Sequence, residues 1–247
     1  MPFLQARGAN NHMSLKRSLR HVFYFLVISF YACNDGETGN SKSADQANIF
    51  QHYSVVYREG NEKMEVYAQF RIGGDKGTAL TLSPPSNIQF DDSSLTVSGS
   101  SAEAMFYNQQ LSLDNIYGEH NFVFTDFNKK QYRNTFLFDE FRLINLPLSV
   151  QKSQSLNIQF QANPLKSSDY IQVTPVDVDS SFSVTYTGSD SSKYIVIPPT
   201  LLQSLPKGQM KFAATLYRRI PLKEVTTAGG YIEMMYTLNP VYINLVD

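Results

Sequence analysis

The sequence predicts an all-β protein whose folded part consists of two tandem antiparallel β-sandwich domains. Apolar and polar residues alternate with a period of two in many segments, and turn residues separate these segments at intervals of about ten residues. No long segment shows the period of an amphipathic helix. The chain contains 17 Phe and 15 Tyr but no Trp, and Phe and Tyr favour strands.

The first 32 residues have the features of a secretory signal peptide. Lys16, Arg17 and Arg20 precede a largely apolar run over residues 22–32 that contains no charged residue. This run is too short for a transmembrane helix, which needs roughly 20 apolar residues. A basic start, a short apolar core and a polar break indicate a segment that is removed. We expect Met13 to be the true start instead of Met1, because Met13 gives the signal a compact basic beginning.

Cys33, the single cysteine, follows this segment directly. It has no partner for an intramolecular disulfide, and a catalytic thiol would need a base on a rigid scaffold. The stretch Phe30-Tyr31-Ala32-Cys33 resembles the lipobox of bacterial lipoproteins. The resemblance implies that Cys33 is lipidated and that acyl chains anchor the protein in the cell envelope, at the periplasmic or surface face of the outer membrane. An uncleaved anchor and a secreted soluble product are the alternatives.

Residues 33–47 are rich in Gly, Ser, Asn and Asp, which predicts a flexible tether after the anchor. Removing residues 1–32 takes away four basic residues and no acidic one, so the formal charge changes from −1 to −5. An acidic protein gains little from phosphate contacts, and nucleic acid is therefore not an expected partner.

Several segments place apolar side chains on one face of a predicted strand. They are residues 63–72, 155–162, 182–187 and 210–217. In the first of these, Met64, Val66, Ala68 and Phe70 share a face. A sheet with one apolar face must be covered, and a second sheet is the only predicted element that can cover it.

The chain is expected to divide near Pro147 into domains of residues 48–147 and 148–247. Each has the size of an immunoglobulin-like sandwich. Residues 194–219 resemble immunoglobulin-like modules of envelope lipoproteins, which implies two tandem immunoglobulin-like domains but no particular activity. Within residues 199–208 we expect a short helix that Thr200 caps, with Leu201, Leu202 and Leu205 as a plug over the sandwich edge.

Two histidines, His52 and His120, remain after removal of the signal. A zinc site draws on several His or Cys ligands, so no metal or other cofactor is expected. His52 is predicted on a solvent-facing strand position, and His120 in a turn after Gly118-Glu119. Both are interpreted as surface residues.

Two pairs of carboxylates are candidates for chemistry. Asp139 and Glu140 are adjacent, so on a strand they would point to opposite faces and could not act together directly. Asp177 and Asp179 are interpreted as a hydrated loop, because Ca²⁺ needs 6 to 8 oxygen ligands. Asp91-Asp92 is predicted to form a turn.

Tyr67, Tyr217 and Tyr231 are predicted to face outward, with Arg218-Arg219 beside one of them. The leading hypothesis is a non-catalytic lipoprotein that presents its sandwiches for binding an envelope protein or for a structural accessory role. This hypothesis predicts an exposed apolar or aromatic patch. The alternatives are a glycan-binding lipoprotein in polysaccharide capture, which predicts an exposed row of Tyr, and an envelope hydrolase, which predicts converging carboxylates.

Overall fold

Alternating apolar and polar residues form strands along the whole described chain. The structure is a computed structural model, and it describes residues 38–61, 63–99, 105–112, 116–178, 182–190 and 192–247. The predicted all-β fold is confirmed. Residues 1–37 lie outside the described part, so the signal peptide and the lipidation of Cys33 stay predictions.

The strands and helical turns have the following bounds. In chain order the strands are β1 Gly39–Asn40, β2 Ile49–Arg58, β3 Lys63–Ile72, β4 Thr78–Thr81, β5 Asn87–Phe90, β6 Ser93–Ser94, β7 Thr96–Ser98, β8 Phe106–Ser112, β9 Gly118–Thr125, β10 Gln131–Phe138, β11 Arg142–Ile144, β12 Ser149–Gln151, β13 Leu156–Gln161, β14 Tyr170–Val176, β15 Val184–Thr187, β16 Tyr194–Ile197, β17 Gly208–Pro221, β18 Gly230–Thr237 and β19 Val241–Val246. The helical elements are a 3₁₀ turn over Gln46–Asn48 and a one-turn helix, α1, over Pro199–Leu202. Among the described residues, no helix is both long and apolar enough to cross a bilayer.

The described strands form one central sheet and two small sheets. The central sheet has the order β1-β4-β3-β2-β18-β17-β14-β15, with β7 and β8 joined beside β3 and with β12 and β19 joined beside β17. A four-stranded sheet has the order β10-β9-β5-β6, and a three-stranded sheet has the order β11-β13-β16. Neighbouring strands are antiparallel, except that β1–β4, β12–β19 and β2–β18 are parallel.

The apolar face of the central sheet packs against the small sheets. Tyr53 of β2 stacks on Phe122 of β9 with ring centroids 4.4 Å apart. At the other end, Phe160 of β13 meets Tyr186 of β15 at 4.8 Å. The predicted apolar faces of β3, β13 and β17 are buried in this core. Burial of apolar surface between sheets therefore holds the sandwich together, at roughly 25 cal/mol per Å².

The structure differs from the predicted division near Pro147 in one respect. Pro147 lies between β11 and β12, but the central sheet is continuous across the two halves of the chain. Residues of β2 pair directly with residues of β18, for example Tyr53 with Ile232. The described residues from 38 to 247 accordingly belong to one compact unit. Alternation shows which residues are buried, but it does not show which strands are neighbours.

The predicted tether is partly folded, which corrects the expectation for residues 38–47. β1 pairs with β4, and the buried Ser41 hydroxyl accepts a hydrogen bond from Ser83 N at 2.8 Å. The Gln46 side chain accepts another from Phe127 N at 3.0 Å. This segment cannot form a core of its own, but β4 and the turn after β9 provide partners for its polar groups.

The short helix α1 lies where the sequence predicts one, but its cap differs. Pro198 occupies the N-cap position and Thr200 lies inside the helix, so the prediction that Thr200 caps the helix is wrong. Two consecutive prolines fix the backbone at the helix start without a side-chain cap. Leu202 and Leu205 are buried as the predicted plug.

Candidate functional site

The second face of the central sheet, here called the outer face, remains partly exposed. Its side chains come from the alternate positions of β2, β3, β14, β17 and β18. They include His52, Ser54, Val56, Glu65, Tyr67, Tyr170, Tyr217, Arg219, Tyr231, Glu233 and Met235. The outward orientation predicted for Tyr67, Tyr217 and Tyr231 is confirmed. Tyr170, Met235 and Val56 join them only because of strand pairings that the sequence did not reveal.

An aromatic and apolar row crosses the outer face at right angles to the strands. Directly paired residues on β3, β2, β18, β17 and β14 are Glu65, Val56, Met235, Tyr217 and Tyr170. We call these five residues the outer row. Four strand spacings of about 4.8 Å give the row a length of about 19 Å. Tyr217 and Tyr170 stack with ring centroids 4.7 Å apart, so the row ends in a rigid aromatic pair.

A network of charged groups lies beside the outer row. The guanidinium carbon of Arg219 lies 3.9 Å from the ring centroid of Tyr231, and Arg219 Nη2 donates to Glu233 Oε1 at 2.8 Å. The Tyr231 hydroxyl donates to Asp75 Oδ1 at 3.2 Å. Burial raises the pKa of Tyr231 to about 12, against the opposing effect of Arg219. Tyr231 therefore stays protonated as a hydrogen-bond donor at neutral pH.

His52 contacts this network from β2. Its Nε2 lies 3.3 Å from Glu233 Oε2 without the geometry of a hydrogen bond, and its ring packs on Tyr231 with centroids 4.6 Å apart. Burial lowers the pKa of His52 below 6.5, although Glu233 and Asp75 act to raise it. Desolvation is the larger effect because Tyr231 covers one side of the ring.

This pKa shift predicts a pH dependence of stability. Because the His52 pKa is lower in the folded state, the unfolded state binds the proton more tightly, and stability decreases as the pH falls through 6.5. His52→Gln removes the titrating group. The measurement is the free energy of unfolding in urea at pH 7.5 and at pH 5.5. We expect this free energy to decrease more for the wild type than for the variant when the pH is lowered. Equal losses for the two proteins would contradict the prediction.

His120 is buried, which corrects its interpretation as a surface residue in a turn. It lies on β9, is 6% exposed and packs between Phe90 and Phe136. Its Nδ1 lies 2.6 Å from Asp91 Oδ2, and its Nε2 lies 2.9 Å from the carbonyl oxygen of Ile116. Both ring nitrogens face oxygen acceptors, so the ring joins the Asp91 turn to the start of β9. Asp91 and Asp92 have positive φ, as expected for a turn.

Asp139 and Glu140 do not lie on a strand, which corrects the expectation that they point to opposite faces. They follow the end of β10, and both line a cavity of about 190 Å³. Arg218 Nη1 donates to both Asp139 oxygens, at 3.3 and 3.4 Å. Glu140 Oε2 lies 3.9 Å from Arg142 Nη1. Each carboxylate therefore has an arginine partner.

Arg218 lies on the opposite face of β17 from Arg219, so the two arginines do not form one patch. Arg218 pairs with the buried Met234 and its side chain is 12% exposed. Its Nη2 donates to Asn163 O at 2.9 Å, and its Nε lies 3.9 Å from the carboxylate of Asp169. Asp139, Asp169 and Arg218 thus form a charged cluster at the edge of the core, which we call the Arg218 cluster.

The other predicted carboxylate pair is only partly described. Asp177 is exposed and accepts a hydrogen bond from Lys211 Nζ at 2.7 Å, while Asp179 lies outside the described residues. Within the described ranges, no group of three or more His, Cys, Asp or Glu side chains could hold a metal ion.

Comparison with protein-family models and with curated protein sequences finds no match. Among solved structures, the chain is similar to a D1–D4 ectodomain fragment of ICAM-5, with a TM-score of 0.27 and 8% identity. It is also similar to SGBP-B of the mixed-linkage glucan utilization locus of Bacteroides ovatus, solved with a mixed-linkage heptasaccharide, with a TM-score of 0.21 and 10% identity. The matches cover 80% and 81% of this chain but only 51% and 60% of those two chains.

Proposed function

We propose that this protein is a non-catalytic, lipid-anchored binding module of the cell envelope and that it binds a protein partner through the outer face. The outer row is the observation that carries the proposal. Tyr, Met and Arg are enriched in the buried centres of protein interfaces, and charged residues are typical of their rims. The outer row provides Tyr170, Tyr217 and Met235, and the Arg219–Glu233 network forms its border.

The outer face also has the rigidity that an interface needs. Its side chains stand on five hydrogen-bonded strands, and ring stacking fixes Tyr217 and Tyr170. A preorganised surface loses little conformational entropy when it binds. A non-catalytic role is supported by the arginine partners of Asp139 and Glu140, the acids that the hydrolase hypothesis would use.

Met235→Lys tests the proposed interface. Met235 lies in the middle of the outer row, so a desolvated ammonium there should weaken capture of a protein partner by about tenfold or more. The measurement is quantitative capture from an envelope extract with the immobilised full chain. The matched control is Leu137→Lys, because Leu137 is an equally large apolar residue, 52% exposed on β10. If the Met235→Lys and Leu137→Lys variants capture the partner protein equally well, the proposed interface is contradicted.

Cys33→Ser tests the proposed anchor. Expressed in a bacterium from its full gene, the wild type should be recovered in the membrane fraction with an N-terminal mass that corresponds to acylated Cys33. The serine variant cannot form the thioether bond and should leave that fraction. Unmodified Cys33 in the wild-type protein would contradict the anchor but would leave the outer-face proposal intact.

A further inference from the structure

The segment around β13 contains an unusual density of uncharged amide side chains. Seven of the nineteen residues from 145 to 163 are Asn or Gln: Asn145, Gln151, Gln154, Asn157, Gln159, Gln161 and Asn163. An exposed strand in an acidic protein more often carries charged residues on its solvent side. We therefore ask where residues 145–163 lie in the fold and what their Asn and Gln side chains contact.

Three of these amides lie on the exposed face of the three-stranded sheet, opposite to its buried face, while Gln151 ends β12 and the other three lie in the adjoining loops. Asn157, Gln159 and Gln161 alternate with buried residues along β13, so all three point outward over a length of about 13 Å. Gln159 pairs directly with Tyr194 of β16, and Gln161 pairs directly with Arg142 of β11. We call this surface the amide face.

The amide face connects two cavities. At one end, a cavity of about 570 Å³ includes Asn145, Gln151, Gln154 and Asn157 in its wall, and no charged residue belongs to the described lining. At the other end lies the cavity of about 190 Å³, which Arg142, Gln161 and Asn163 line together with Asp139 and Glu140. Gln159 lies between them and accepts a hydrogen bond from Asn145 Nδ2 at 2.7 Å.

Arg142 donates two hydrogen bonds to the side-chain oxygen of Gln161 and Asn145 donates one to that of Gln159, but amides beside them, at the larger cavity, are free. Within the described part of the chain, the side chains of Gln151, Gln154 and Asn157 make no hydrogen bond to protein groups. Each amide offers two donors and an acceptor, and a sugar hydroxyl both donates and accepts. The Tyr194 ring is 43% exposed beside Gln159 and presents an apolar surface on which the C–H groups of a sugar ring can pack.

We propose that the amide face binds a neutral glycan chain that runs along β13 from one cavity to the other. The uncharged wall of the larger cavity favours a neutral ligand over an anionic or cationic one. In the smaller cavity, the arginines paired with Asp139 and Glu140 balance the two acidic charges. The amide face lies on a different sheet from the outer face, and no residue of the outer row lines either cavity, so this proposal does not depend on the protein interface proposed above.

Affinity electrophoresis of the full chain in native gels tests this proposal. The probes are neutral polysaccharides, namely barley β-glucan, xyloglucan, yeast mannan and starch, with polygalacturonate as a charged comparison. We expect at least one neutral polymer to retard the protein and polygalacturonate to leave its mobility unchanged. Tyr194→Ala and Gln159→Leu should each weaken binding of that polymer by about tenfold, because both are central to the face.

The matched control is Tyr242→Ala, since Tyr242 is a similarly exposed tyrosine on β19, outside the amide face. This variant and Met235→Lys should bind the polymer as the wild type does. Unfolding midpoints confirm that the Tyr194 and Gln159 variants are folded. The proposal is overturned if no neutral polymer retards the protein, if retardation occurs only with polygalacturonate, or if folded Tyr194→Ala and Gln159→Leu variants bind normally.

Discussion

Replacing Arg218 by methionine is expected to lower the free energy of unfolding by about 3 kcal/mol. The substitution removes the only arginine of the Arg218 cluster in the described structure and leaves Asp169, which is 4% exposed, and Asp139 without their cationic neighbour. Asp169 keeps its hydrogen bond from Lys166 N, but two buried negative charges without a cation raise the free energy of the folded state by more than the apolar contacts of methionine lower it. Urea unfolding at pH 7 measures the difference.

Arg219→Met is the matched control, because it removes the adjacent arginine from the exposed side of the same strand. Its ion pair with Glu233 is half exposed, and such pairs contribute only about 0–1 kcal/mol. Adding Asp139→Asn to the Arg218 variant should recover part of the lost stability, since it removes one unpaired charge. Similar losses for the two single arginine variants would show that the cluster is not buried as described.

Replacing Phe122 by alanine is expected to destabilise the fold by about 3–5 kcal/mol. Phe122 is fully buried between the central and four-stranded sheets, where it stacks on Tyr53 and meets Phe90 edge-to-face at 4.9 Å. The substitution removes the phenyl ring and leaves a cavity, which the rigid strands on both sides cannot close. The measurement is the midpoint and slope of chemical unfolding, with Leu137→Ala on the neighbouring strand as control.

Leu137→Ala should change stability by less than about 0.5 kcal/mol, because an exposed side chain loses little packing. A loss below about 1 kcal/mol for Phe122→Ala would mean that the two sheets do not meet through this ring. A reduced unfolding slope together with a small loss would point to a less compact native state.

Local patterns in the sequence predicted the strands and their buried faces. Met64, Val66 and Phe70 are buried because period-two alternation follows directly from strand geometry. The same pattern placed Tyr67, Tyr217 and Tyr231 outward. The interpretation of His120 was wrong because Gly118-Glu119 indicated a turn, whereas these residues begin β9, and Phe90 and Phe136 on other strands cover the ring.

The pairing of strands could not be predicted from local patterns. The outer row depends on the register of β2 against β18, and these strands are separated by most of the chain. Alternation placed Asn157, Gln159 and Gln161 on one polar strand face, but the sequence did not show that residues 145–163 would connect two cavities. Alternation after Leu216 places Arg218 on the buried face of β17, but it does not reveal its partners Asp139 and Asp169, which come from distant loops.

The parallel pair of β2 and β18 has a consequence for the synthesis of the protein. Gln51 pairs with Gly230, so β2 lacks its central neighbour until β18 has left the ribosome. Contacts between residues so distant in the chain slow folding and leave an apolar strand edge unprotected in the meantime. A chain that ends before β18 should therefore aggregate, even though it keeps every strand from β1 to β17.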